Sequence, residues 1–172
     1  NTRSIDLISG ETAQLKLSNL SVESLNYFWR VIDDPETSLV NEKDIVTVTK
    51  DGLVKVMPNS ATFNKDTTVK VQAVMYYNGE EWTKTCTIKA IPANVFLTPY
   101  FDHTGNNNLV IGVGASRTVQ ATTNIKEGAI TWKSANPDIA AVEKGKITAK
   151  SVGKTTVTVT ATAPSGQTAS RY

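Results

Sequence analysis

Few residues in this chain have the types and spacing that chemistry needs. Nucleophilic catalysis requires a nucleophile held beside a base. The one histidine is His103, in the run Asp102-His103-Thr104-Gly105. Neighbouring side chains in an extended chain point apart, so Asp102 does not orient the imidazole by adjacency. A solvated loop histidine is the reading that follows. The one cysteine, Cys86, alternates onto the same face as Ile88, which makes it a buried, inert thiol and excludes an internal disulfide. One histidine and one cysteine do not make a zinc site. Asp33, Asp34, Glu36 and Asp44 supply oxygen ligands of the kind calcium uses, but no Asp-x-Asp-x-Asp-Gly loop is present. They read as a polar loop in which Asp34-Pro35 starts a turn. No catalytic residue, metal site or cofactor is expected.

The remaining candidates are aromatic. Tyr76, Tyr77 and Trp82 flank Asn78-Gly79, and exposed aromatic rings stack on sugars or anchor protein partners. Against this, Trp82 follows the inward parity of its strand, where it would cap a core. Aromatic cross-strand pairs also stabilise hairpins without binding anything. Trp29 and Trp132 read as core tryptophans. Tyr100 and Phe101 either pack between domains or lie exposed.

The elements that must position these residues are strands. Val69, Val71, Ala73 and Met75 alternate with Lys70, Gln72, Val74 and Tyr76, and Trp82, Lys84, Cys86 and Ile88 alternate with threonines. Apolar residues therefore repeat with period two, not 3.6. Asn-Gly between two such runs predicts a hairpin with a type I′ turn, which needs positive φ at both central residues. A two-residue loop places Met75 opposite Trp82, Val71 opposite Cys86 and Val69 opposite Ile88. Ile45 to Lys50, Asp51-Gly52 and Leu53 to Val56 predict a second hairpin. Ala140 to Glu143, Lys144-Gly145 and Lys146 to Ala149 predict a third. No stretch of ten or more residues shows a helical period, so short strands joined by Gly and Asx turns argue an all-β sandwich or barrel.

The chain has 172 residues, 40% of them hydrophobic, enough for two small domains with packed cores. Its halves repeat one plan. Ser9-Gly10-Glu11-Thr12-Ala13-Gln14-Leu15 matches Val113-Gly114-Ala115-Ser116-Arg117-Thr118-Val119. Trp29 matches Trp132, Gly52 matches Gly145, and Val69 to Ala73 matches Val157 to Ala161. Trp29 to Gly52 is 23 positions and Trp132 to Gly145 is 13, so the first half holds about ten extra residues near Asp33 to Asp44. A smaller insertion falls near residues 57–63. The expected boundary is Ile91-Pro92-Ala93, giving domains 1–91 and 92–172, with the last strand of the second short or truncated. The chain begins at Asn1 with no leader pattern, which suggests a piece of a longer protein.

The stretch from Trp132 through Ser134-Ala135-Asn136-Pro137, Ala140-Ala141-Val142, Gly145-Lys146-Ile147-Thr148-Ala149 and Gly153 to Val159 resembles the bacterial immunoglobulin-like domain, group 2. The first half resembles a diverged member: it keeps Ser9-Gly10-Glu11-Thr12, Trp29 and Asp51-Gly52 but lacks the Ser-x-Asn-Pro turn. The resemblance implies two tandem immunoglobulin-like β-sandwich domains of an exported bacterial or phage protein, extracellular or on the bacterial surface. Such domains act as spacers or adhesive modules, or as accessory domains of secreted enzymes, without shared catalytic residues. Expected partners are a host or cell-surface protein, or a glycan. The alternatives are a carbohydrate-binding accessory module and a phage virion surface domain. Net charge is +2 from 18 basic and 16 acidic residues without like-charge blocks, so neither nucleic acid nor membrane insertion is indicated. A monomer is expected.

Overall fold

In a computed structural model, described for residues 3–17, 27–32, 41–60, 63–98 and 108–172, the chain is all-β. The one helical element among the described residues is a single 3-10 turn, Glu42–Asp44, capped by the Asn41 side chain. The chain divides into two compact units, Asn1–Pro92 and Ala93–Tyr172.

The first unit holds β1 (Arg3–Ile8), β2 (Thr12–Gln14), β3 (Tyr27–Ile32), β4 (Val46–Val48), β5 (Leu53–Val56), β6 (Thr67–Tyr77) and β7 (Glu80–Ile91). One sheet runs β1-β7-β6-β3, with β1 parallel to β7, and the other runs β2-β5-β4. Alternation decides which side chains face inward. Leu7, Trp29, Val69, Val71, Ala73, Ile88 and Ala90 come from the first sheet, and Val46, Val54 and Val56 from the second. Ile45 and Phe63 join the same cluster, both with no exposed surface. Each fully buried Val, Ile or Phe side chain among them stabilises the unit by about 1.5–3 kcal/mol. Phe63 sits at the end of the segment read as the smaller insertion, residues 57–63. The Ser60 hydroxyl accepts a hydrogen bond from the Phe63 amide at 3.0 Å, which turns the ring inward. The insertion thus supplies the bulkiest fully buried side chain of the unit.

The second unit holds β8 (Val95–Thr98), β9 (Ser116–Thr118), β10 (Gln120–Thr123), β11 (Ala129–Ser134), β12 (Ala140–Glu143), β13 (Lys146–Ala149), β14 (Val157–Thr162) and β15 (Thr168–Arg171). Its sheets are β11-β14-β15 and β12-β13-β9, with β8 and β10 as a two-stranded ribbon. Buried side chains here are smaller, with Ala140, Ala149 and Ala161 beside Val119, Val159 and Ile147.

The two units use one hydrogen-bonded frame. Gly10 and Gly114, both at positive φ, donate to the carbonyls of Val56 and Ala149 at 2.9 and 2.8 Å. Leu15 and Val119 donate to the carbonyls of Gly52 and Gly145, each at 2.9 Å. Both hairpin glycines lack room for a side chain. A Cβ on Gly52 would lie 2.7 Å from the Leu15 carbonyl and 2.6 Å from the Trp29 ring nitrogen. One on Gly145 would overlap the Val119 carbonyl and lie 3.3 Å from the Trp132 ring. Only glycine permits that approach at positive φ.

Two expectations need correction. Trp29 stands opposite Ala73 and Trp132 opposite Val159. The repeat therefore aligns Val71 with Val157, not Val69 with it. An alternating strand can slide by two residues without changing its buried face, so the sequence match could not resolve this. From Gly52 to Val71 is 19 positions against 12 from Gly145 to Val157, so the second insertion is seven residues. Trp132 is also only half-buried, while Trp29 is buried. A core with this much alanine leaves part of the second indole open.

Candidate binding site

The β6–β7 hairpin forms as its sequence requires. Asn78 and Gly79 have φ of 51° and 81°, the two positive values of a type I′ turn. Met75 pairs with Trp82, Val71 with Cys86 and Val69 with Ile88. The Lys144-Gly145 turn also has positive φ at both positions. Asp51-Gly52 does not. Only Gly52 is left-handed, and its amide donates to the Thr49 carbonyl at 3.0 Å, closing a longer turn with a bulge at the glycine.

The hairpin outruns the core. On its inward face Ala73 is buried, Met75 is half-buried, and Tyr77, Glu80, Trp82 and Lys84 are exposed. β3 contributes to the same face: Trp29 stands opposite Ala73 and Tyr27 opposite Met75. Tyr27 meets Trp29 edge-on, with centroids 6.5 Å apart at 80°. An apolar strip thus runs from the buried Trp29 through Tyr27 and Met75 to the exposed rings of Trp82 and Tyr77. These two rings are diagonal neighbours across the strand pair, within reach of one another. Trp82 is 56% exposed and Tyr77 50%, so Trp82 keeps the inward parity without capping the core. The acidic Glu80 and basic Lys84 flank the rings. Such a surface can stack on a flat apolar face and hydrogen-bond at its rim.

Tyr76 belongs elsewhere. It lies on the opposite face, 57% exposed, and donates its hydroxyl to Glu81 at 2.9 Å. That hydrogen bond and then the Glu81 charge raise the Tyr76 pKa above the ordinary tyrosine value. Arg30 donates to the other oxygen of Glu81 at 2.9 Å and to the Gln72 side-chain oxygen at 2.7 and 3.0 Å. It stands opposite Gln72 and reaches to the Tyr76–Glu81 pair, spanning the row of Val74 between them. Val74 has no exposed surface, although it points away from the core. Arg30, Gln72 and Glu81 were not singled out in the sequence. Strand parity was the available signal, because it puts all three on the face of Tyr76.

Cys86 is buried, and burial pushes its thiol pKa up, against a smaller opposing pull from Arg3. An undissociated thiol is a poor nucleophile. The Trp29 ring nitrogen is buried without a hydrogen-bond acceptor, pressed against Gly52. Asp44 lies exposed in the 3-10 turn. Asp33, Asp34, Glu36, Tyr100, Phe101, Asp102 and His103 lie outside the described residues. Among the described residues no group of three or more His, Cys, Asp or Glu side chains could hold a metal ion. None of their helices is long and apolar enough to cross a membrane.

Residues 103–170 match the family of the bacterial Ig-like domain (group 2). No curated protein sequence matches the chain. Among solved structures, the protocadherin GammaB4 extracellular domain aligns at 12% identity and TM-score 0.40, over 98% of this chain and 32% of that one. A 282-residue C-terminal fragment of intimin, in complex with the intimin-binding domain of Tir, aligns at 17% identity and TM-score 0.37, over 93% and 55%. Drosophila N-cadherin EC1-4 aligns at 14% identity and TM-score 0.32, over 98% and 46%. This chain spans less than two thirds of each.

Proposed function

With residues 103–170 identified as a bacterial Ig-like domain (group 2), we propose that this chain is a non-catalytic structural and adhesive module of an exported bacterial surface protein, built from two tandem Ig-like domains. The second domain serves as spacer and the first presents the contact surface. One observation supports this division: β6 is 11 residues long, whereas its counterpart β14 is 6. The extra length lifts Trp82 and Tyr77 beyond the first core, where rigid aromatic rings give contact area at small entropic cost. Host or cell-surface proteins are the proposed partners of this reading, and the setting is extracellular.

A carbohydrate-binding role within a secreted enzyme is the second reading, favoured by two exposed aromatic rings on one face with polar groups beside them. The test is a glycan array run alongside a panel of cell-surface proteins, using the intact chain and Trp82→Ala. Protein hits lost with Trp82 support the adhesive reading. Glycan hits lost with Trp82 select the second. Hydrolysis of an array glycan by the purified chain would overturn both.

A further inference from the structure

Two Asx-Gly pairs occupy hairpin turns, and the structure treats them oppositely. Asn78 and Gly79 are both exposed, and no atom lies within 4 Å of the position a Gly79 Cβ would take. The Gly79 amide makes no hydrogen bond. Gly52 is buried against Trp29 and the Leu15 carbonyl, and its amide is held by Thr49. Asp51 takes a hydrogen bond from the Thr49 side chain, and an aspartate at neutral or alkaline pH is an ionised carboxylate, a poor electrophile.

We propose that Asn78-Gly79 is a site of spontaneous deamidation and isoaspartate formation, and that Asp51-Gly52 is shielded from the equivalent reaction. The free Gly79 nitrogen attacks Cγ of the Asn78 side chain. The new N–Cγ bond closes a succinimide, the Cγ–Nδ2 bond breaks, and ammonia leaves with the proton of the Gly79 amide. Water then opens either ring carbonyl, giving isoaspartate or aspartate. Ring closure requires Asn78 to leave its left-handed conformation. An exposed tip beyond the packed core opens at little cost, since stability is lowest where few apolar contacts are made. At Gly52 the same motion would have to break the Leu15 and Thr49 hydrogen bonds and displace Trp29.

The product carries a new carboxylate beside Glu80 and Glu81. As isoaspartate it also carries an extra methylene in the backbone of a two-residue turn. Hairpin register is set by turn geometry, so the pairing of Tyr77 with Glu80 and of Met75 with Trp82 is disturbed. The conversion does not depend on what the tip binds. A resulting loss of binding does, and rests on the proposed function above.

The test is to age the intact folded chain at mildly alkaline pH and map isoaspartate by tryptic digestion and isoaspartyl methyltransferase labelling. The expected result is one added negative charge on ion exchange, with the label in the peptide of residues 71–84. Asn78→Gly, which keeps a turn compatible with positive φ, yields no such species. Conversion at Asn78 no faster than at the exposed Asn59-Ser60, or equal labelling of the peptide of residues 51–55, would overturn the proposal.

Discussion

The two units share a frame and differ in what is hung on it. In each, a left-handed glycine starts the same strand, and that strand donates to a hairpin glycine at 2.9 Å, with a tryptophan packed on that glycine. What differs is outside this frame. The first unit adds Phe63 to its core and carries a long hairpin that ends in exposed rings. The second keeps short strands and a core rich in alanine. Hydrogen-bonded geometry that tolerates no Cβ persists, while core volume and strand length are free to change. Added residues are where a property private to one unit can arise.

The strongest challenge to this comparison is Phe63→Ala. If the insertion is part of the core, the variant loses about 3–5 kcal/mol. The loss falls on the first unit's transition in denaturant unfolding and leaves the second unchanged. A surface loop would lose almost nothing. Gly145→Ala tests the shared frame in the second unit. Left-handed strain and overlap with the Val119 carbonyl should together cost about 3 kcal/mol. Gly79→Ala has the same φ strain in open space and should cost only about 1–2 kcal/mol. Equal losses at the two sites would show that backbone strain, not close approach, keeps these glycines.

Smaller effects separate the two faces of the hairpin. Trp82→Ala should cost no more than about 1 kcal/mol of stability, since it removes one exposed cross-strand pair. Glu81→Gln should change stability by less than about 1 kcal/mol, because the Arg30 pair is solvent-exposed. Its clearer readout is titration. The Tyr76 pKa is raised in the folded chain, so its contribution is complete below the ordinary tyrosine value and is lost as pH rises through the raised one. In Glu81→Gln, ultraviolet titration should show Tyr76 ionising at lower pH than in the parent. An unchanged curve would mean the hydrogen bond to Glu81 is not what holds Tyr76.

The β6–β7 register was legible in the sequence because Asn78-Gly79 closes the two-residue turn that such a pair favours, and a two-residue turn fixes every pair behind it. Asp51-Gly52 carried the same apparent signal but closes a longer turn, since Asx-Gly alone does not choose between turn types. The slide of two residues in the repeat escaped because period-two alternation is blind to it. Phe63 escaped because a lone aromatic in a loop shows no periodicity. At the candidate site, Tyr76, Tyr77 and Trp82 read as one cluster by proximity in the chain. Alternation puts Tyr76 on the far face, and only the pairing shows that Arg30 and Glu81 hold it there.

The proposed contact surface of this chain is the face carrying Tyr77 and Trp82. With a protein or glycan partner from the screen, the direct measurement is the Kd of the parent, Tyr77→Ala, Trp82→Ala and Tyr76→Phe. Loss of a buried aromatic anchor costs at least about 2 kcal/mol, roughly thirtyfold in Kd. That weakening is expected for Trp82→Ala, a smaller one for Tyr77→Ala, and none for Tyr76→Phe. Full affinity in Trp82→Ala, or a loss in Tyr76→Phe equal to that in Trp82→Ala, would contradict it.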